Sequence, residues 1–371
     1  MKKPLNYYFF LGSVFLLLFS GIIILASVSS PVSLKEFDTP YYFLKRQLLF
    51  GLLPGGALAF FISQKKDSVG LLKKWALVLL GINLILMFLV FLPGIGKASG
   101  GAARWLNLGP LSFQPAEFLK LTFIIYLASW LASKTEKISQ KAGKKDIGWT
   151  FFAFAAIIGL IGLLLMFQPD ISTLVIVVLS AVLMYFSAGT PFRHSAAAAV
   201  AGAAALAFLI KFTPYRLNRL LVFLNPDLDP LGKGYQIKQA LLAVGSGGVA
   251  GVGLGMSNQK FGFLPQSMSD SIFAVFAEET GFLGAAFLIF LFLLFSWAGF
   301  RIIKGGQDKF SQLLAMGITS WIVLQGFINI GSIIGILPIT GVPLPFISHG
   351  GTALITELVG VGILLNIAKK T

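Results

Sequence analysis

The stretch YFFLGSVFLLLFSGIIILAS, residues 8–27, decides the fold class. It runs 20 residues without a charged side chain. An α-helix rises ~1.5 Å per residue, so about 20 apolar residues cross the ~30 Å hydrocarbon core of a bilayer. Barrel strands alternate polar and apolar residues instead, so this run argues against an outer-membrane barrel. Lys2 and Lys3 precede it as they would precede a signal peptide. The apolar run is too long for one and no A-x-A cleavage site follows, so the reading is a retained first helix.

Nine further apolar runs lie outward from it, near 44–63, 74–93, 115–133, 149–167, 171–188, 194–212, 272–298, 311–336 and 352–368. Over the 371 residues, 56% are hydrophobic and 12% charged. A soluble domain carries about twice that charge. The composition therefore excludes a soluble enzyme, a disordered chain and a collagen-like fibre. The expected fold is all-α and polytopic, with ten transmembrane helices in one domain over residues 1–371. Cysteine is absent, which removes disulfides, thiolate metal sites and cysteine nucleophiles. His194 and His349 are the only histidines, too few for a histidine-based zinc site.

The net charge of +15 is read by side of the membrane. With an inner N-terminus, the short inner segments hold Lys2 and Lys3, Lys65, Lys66, Lys73 and Lys74, and Lys134, Lys137, Lys141, Lys144 and Lys145. Arg193, then Arg301, Lys304 and Lys309, and finally Lys369 and Lys370 follow the same rule. Both termini are thus expected in the cytoplasm, and the charge needs no nucleic acid. Two outer loops are expected, about 94–114 and about 213–271. The second is long for a compact membrane domain, which marks it as functional.

Charges are costly inside a bilayer, at ~3 kcal/mol by insertion scales, so they pair or serve function. Glu117 and Lys120 lie three apart on one helix face. They read as a mutual ion pair, as the polar wall of a substrate cavity, or as both. Asp270, where the long loop enters the eighth span, reads as a helix N-cap or as a carboxylate that accepts a proton. Glu278 and Glu279 need a partner from a neighbouring element. The string GSGGVAGVGLG, 245–255, lacks the dinucleotide-binding spacing and reads as a tight or re-entrant segment where backbones approach closely. Its main-chain N–H groups are a second, anion-binding reading. Outer cations are Arg104, Arg216, Arg219, Lys233, Lys238 and Lys260. With membrane-edge acids, they suit a lipid-linked substrate bearing phosphate.

Longer motifs carry a resemblance. They are YYFLKRQLLF (41–50), GGAARWLNLGPLSFQPAEFLKL (100–121), QPDIST (168–173), YRLNRLLVFLNPDLDPLGKGYQIKQALLAVGSGG (215–248), GLGMSNQKFGFLP (253–265), FAEETGFLG (276–284) and LPITGVPLPFISHGG (337–351). Nearly end to end, the chain resembles the SEDS (shape, elongation, division and sporulation) glycosyltransferases. GLGMSNQKFGFLP is more similar to the cell-division FtsW branch than to the rod-shape RodA branch, and the sporulation branch is close.

The resemblance implies ten spans and polymerisation of lipid II, a disaccharide-pentapeptide on undecaprenyl pyrophosphate, at the outer face of the bacterial cytoplasmic membrane. It implies a class B penicillin-binding protein and other division proteins as partners. The family's catalytic acid falls on Asp270. Its substrate-binding positions fall on Arg104, Trp105, Gln114, Glu117 and Lys120. Arg216 and Arg219 are candidates for the pyrophosphate, and Lys260 joins the substrate-binding set. A divalent cation, Mg or Mn, is the one cofactor considered. The family's Glu, His, Thr and Phe around the acid are Gln266, Met268, Ser269 and Ser271 here, its Tyr is His349, and two further positions are Gly100 and Ala116. The rival readings are a lipid II flippase or other transporter, and a non-catalytic division scaffold.

Overall fold

The computed structural model describes residues 4–99, 102–108, 111–140, 144–190, 192–211 and 213–370. The helices are α1 (Leu5–Phe37), α2 (Tyr42–Gln47), α3 (Leu53–Gln64), α4 (Ser68–Leu89), α5 (Pro115–Gln140), α6 (Lys144–Phe167) and α7 (Ile171–Ser187). They continue with α8 (Phe192–Lys211), α9 (Pro214–Leu224), α10 (Lys233–Ser246), α11 (Ile272–Gly305), α12 (Lys309–Ile333) and α13 (Gly351–Ala368).

Among the described residues, eight helical stretches are long and apolar enough to cross a membrane: Leu5–Phe37, Tyr42–Gln64, Ser68–Leu89, Pro115–Lys134, Thr150–Phe167, Ile272–Gly305, Lys309–Ile333 and Gly351–Ala368. α7 is apolar but has 17 residues. α8 is a 20-residue helix at the place of the expected seventh span.

One span contains a π-turn, Leu48–Leu52, between α2 and α3. Pro54 follows it and has no N–H for the carbonyl of Phe50, so the helical ladder must shift there. Gly51 and Gly55 lie one turn apart and face α13. A Cβ on Gly55 would stand 2.9 Å from Leu358 Cδ1. Small residues at this spacing let two membrane helices approach closely.

The centre of the bundle is α5, α12 and α13, and Trp321, Phe123 and Ile363 are fully buried there. Phe60, Phe61, Phe88, Phe152 and Phe282 point outward and are exposed. An apolar rim is what a lipid solvent permits, because hydrocarbon does not drive these rings inward.

The expected outer loops turn out to be structured. The first holds a three-stranded antiparallel sheet of β1 (Gly96–Ser99), β2 (Ala102–Leu108) and β3 (Leu111–Phe113), in that order. Leu106 pairs with Phe113 and Asn107 with Ser112. The all-α expectation is corrected to that extent. The second is no irregular loop, since it carries α9, α10 and two 3-10 turns, Pro226–Leu228 and Gln259–Phe261. Their apolar positions, Val222 and Ile237, bury against Ile339 beyond α12. Short runs broken by Pro and Gly carry no span-length signal, so these helices are hidden in the sequence.

α11 is broken at Gly281, where φ is 67° and ψ −164°. The glycine string fills the break. Val252 N–H donates to the Glu278 carbonyl and Gly253 N–H to that of Glu279, each at 3.0 Å. Phe282 and Leu283 N–H donate back to Gly248 and Val249. A Cβ on Gly251, itself at φ 83°, would sit 2.2 Å from the Glu279 carbonyl oxygen. The close backbone approach expected of this string is present.

Candidate active site

The starts of α5, α7, α11 and α13 and the end of α12 meet at one end of the bundle. A cavity of about 480 Å³ opens there. It is lined by Arg104, Trp105, Gln114, Glu117, Lys120, Asp170, Arg219, Lys233, Asp270 and His349, among others. Four helix N-termini converge on it, and each brings a partial positive charge.

Asp270 is 8% exposed. Asp270 does not cap α11, because Ser271 occupies the N-cap position and makes no side-chain cap bond. Its main chain is pinned from α12, where Asn329 Nδ2 donates to the carbonyls of Asp270 and Val342 at 2.7 Å each. The turn before it closes on Gln266, whose carbonyl accepts from Ser269 and Ser271 N–H. Ser269 Oγ donates to Asp270 Oδ1 at 3.1 Å. Across the turn, His349 N–H donates to the Met268 carbonyl at 2.9 Å, and Ser348 Oγ donates to that of Ser269. Burial raises the Asp270 carboxyl above its ordinary value, and the Lys233 ammonium opposes this. A carboxyl so placed is a stronger base than one in water for as long as it stays ionised.

Glu117 and Lys120 combine both readings made of them. Lys120 Nζ pairs with Glu117 Oε2 at 2.8 Å, and both line the cavity. Lys120 also donates to Gln325 Oε1 at 2.7 Å and lies 5.2 Å from the Trp321 ring centroid. Gln325 Nε2 donates to the Pro343 carbonyl, and Glu357 Oε2 accepts from Phe346 N–H at 2.8 Å. A buried polar layer thus ties α5 and α12 to the segment that wraps Asp270. Satisfied networks of this kind fix geometry in a low dielectric.

Arg104 on β2 donates through Nε to the Gln168 carbonyl at 3.0 Å and through Nη2 to that of Pro169. Asp170 caps α7 and accepts from Thr173 N–H at 3.1 Å. Arg216 lies on α9 with its side chain outside the described residues. Burial and the Arg46 charge lower His349 to about 4, so its imidazole is neutral at neutral pH.

Lys260 is not at the cavity. Its Nζ pairs with Glu279 Oε1 at 2.7 Å, both fully enclosed, and it also donates to Ser27 Oγ on α1 at 3.1 Å. Glu278 accepts from Ser257 Oγ and from Asn258 N–H. The two acids therefore clamp the 257–260 turn to α11 and α1. Glu357 in the layer is not singled out by the sequence, and Lys233 on the wall is named there only as one of the outer cations. Glu357 carries a usable signal, an acid inside an apolar run. Lys233 has only its charge to mark it.

Among the described residues, no three of His, Asp and Glu gather as a metal cluster. Glu117 is paired with Lys120 and Asp170 caps α7, so among the described residues the cavity acids are not gathered as a ready-made divalent-cation site.

Comparison with known proteins agrees with this architecture. Residues 8–371 match the family model FtsW/RodA/SpoVE, described as cell cycle protein. Stage V sporulation protein E of Bacillus subtilis is 39% identical over 95% of this chain and 94% of its own. A probable peptidoglycan glycosyltransferase FtsW of Geobacter sulfurreducens is 38% identical over 94% and 91%. A chain from a peptidoglycan synthase complex, described as structurally coordinating polymerization and crosslinking, superposes with a TM-score of 0.76 at 28% identity, covering 96% of both chains. Thermus thermophilus rod shape determining protein RodA gives 0.69 at 25% identity, over 99% of this chain and 97% of that one. On sequence and fold together, this chain belongs to the FtsW/RodA/SpoVE family of cell cycle proteins.

Proposed function

We propose that this protein is a peptidoglycan glycosyltransferase that polymerises lipid II into glycan strands at the outer face of the bacterial cytoplasmic membrane during cell division. The observation that carries it is a buried carboxyl, Asp270, in a cavity lined by Arg104, Lys120 and Arg219 at the meeting of four helix N-termini. In this reading residues 1–371 form one domain of ten spans, with α7 and α8 completing the count. The basic inner segments support cytoplasmic termini and a cavity on the outer side.

Asp270 takes the proton of the acceptor sugar hydroxyl. That oxygen attacks the anomeric carbon of the donor, and the bond from that carbon to the pyrophosphate oxygen breaks. A positioned base contributes ~10²–10⁴-fold to such a step. Arg104, Lys120, Arg216 and Arg219, with Trp105, Gln114 and Glu117 on the wall, hold the pyrophosphate and sugar. Fixed cations stabilise charge on the leaving group without reorganising. Lys260 is a structural residue in this scheme. A Mg or Mn ion would need ligands from the substrate's own phosphates, and no step is routed through it. The relatives named as glycosyltransferases and the synthase-complex neighbour support a class B penicillin-binding protein as partner, with other division proteins.

One observation favours transport: α11 is a broken helix. Transporters of the inverted-repeat type pair two such helices. Among the described residues, α11 is the membrane helix with non-helical dihedrals inside it. Incubating purified chain and transpeptidase partner with fluorescent lipid II separates the readings. Glycan strands support polymerisation. Movement of labelled lipid II across vesicles without glycan supports transport, and neither product supports a scaffold.

A further inference from the structure

Burial works against the role given to Asp270, because a desolvated carboxyl prefers its neutral form, which accepts no proton. Some group in the cavity must oppose that. The charged and titratable groups that line the cavity with Asp270 are Arg104 from β2, Glu117 and Lys120 from α5, Asp170 from α7, Arg219 from α9, Lys233 from α10 and His349 before α13.

Most are committed elsewhere. Lys120 has its ion-pair partner in Glu117 at 2.8 Å. Arg104 spends Nε and Nη2 on the carbonyls of Gln168 and Pro169. His349 is neutral at neutral pH. Asp170 repels rather than attracts a second carboxylate.

Lys233 differs. It is the first residue of α10, fixed by its own N–H to Asp229 Oδ2 at 2.8 Å. Among the described residues its ammonium forms no ion pair. Lys233 Nζ donates to Gln236 Oε1 at 3.0 Å, and Gln236 Nε2 donates to Ser271 Oγ at 3.0 Å. Gln236 is buried, so this relay ties the ammonium to the residue next to Asp270. Lys233 and Asp270 line the same cavity, and the Lys233 charge opposes the rise that burial imposes on the carboxyl.

We propose that Lys233 is a positioning residue for the reaction: its ammonium keeps the buried Asp270 carboxylate charged and ready to take a proton. This rests on the reading of Asp270 as the base. Lys233 acts through Asp270, and Gln236 sets where the ammonium stands.

The test is the pH profile of glycan synthesis from lipid II by the full chain with its transpeptidase partner, for wild type, Lys233→Met and Lys233→Arg. An opposite charge nearby moves a carboxyl by ~1–3 pH units. The acid limb of kcat is expected to rise by about one pH unit in Lys233→Met and to return in Lys233→Arg. Lys233→Ser supplies the same reading should the Met variant fail to fold. An unmoved limb with a raised KM would make Lys233 a substrate contact and overturn the proposal. An unmoved limb with a uniformly lower kcat would make it a packing residue and overturn the proposal equally. Asp270→Asn is run alongside. If it polymerises at the wild-type rate, the reading of Asp270 has failed. If it is inactive while the Lys233→Met limb stays put, only the Lys233 assignment has failed.

Discussion

Asn329 Nδ2 lies 2.7 Å from the main-chain carbonyl oxygen of Asp270. The same amide holds the Val342 carbonyl, so one fully buried side chain on α12 sets the spacing between the Asp270 turn and the segment that wraps it. Asn329→Ala leaves two carbonyls unpaired, at ~1–3 kcal/mol each. The thermal unfolding temperature in detergent should fall, and kcat for glycan synthesis should drop more than KM changes. Asn329→Asp should be worse than Ala, because a buried carboxylate would face two carbonyl oxygens.

The Lys260–Glu279 pair gives a second expectation. Removing one partner of an enclosed ion pair costs ~3–5 kcal/mol, because it strands the other charge. Lys260→Met and Glu279→Gln should each unfold at lower temperature than wild type. The double variant should recover part of the loss, which a double-mutant cycle on unfolding temperature reads directly. If the single variants are as stable as wild type, the clamp carries no energy.

Glycines in one string should respond differently to alanine. Gly251→Ala forces a Cβ against the Glu279 carbonyl at a positive φ, so it should lower the yield of folded protein sharply. Nothing lies within 4 Å of a Cβ on Gly245, which sits inside α10. Alanine there should be neutral or stabilising by ~0.5–1 kcal/mol. Size-exclusion profiles of the two variants compare them.

Asp270 also predicts a stability trade with pH. Its carboxyl has a higher proton affinity folded than unfolded. Between the ordinary value and the raised one, the folded state binds more protons, so stability falls as pH rises through that window. Above it the ionised, desolvated carboxylate is a standing cost. Asp270→Asn should therefore unfold at a higher temperature than wild type at pH values above that window. The advantage should shrink on acidification below the raised value. Thermal scans across pH check both halves.

The sequence was most legible where lipid dictates composition. Runs such as 8–27 and 272–298 appear as helices because a bilayer leaves the backbone no other way to satisfy its N–H and C=O groups. Asp270, Glu117 and Lys120 stood out because charge near a membrane is expensive. Lys260 looked like one more outer cation, and only the fold shows Glu279 waiting 19 residues away. The β-sheet and α9 and α10 were opaque, since short elements stabilised by contacts such as Val222 with Ile339 leave no long periodic signal. Asn329 and Gln325 were invisible for a different reason. A single amide in an apolar helix reveals its importance only through the two groups it bridges.

The Asp270 carboxylate, in this scheme, performs the proton transfer that makes glycan. The direct measurement is polymerisation of fluorescent lipid II by wild type and by folded Asp270→Asn, each with the transpeptidase partner. Wild type should form strands, and Asp270→Asn should lose at least ~10²-fold in rate. Strands formed at the wild-type rate by Asp270→Asn would contradict that role.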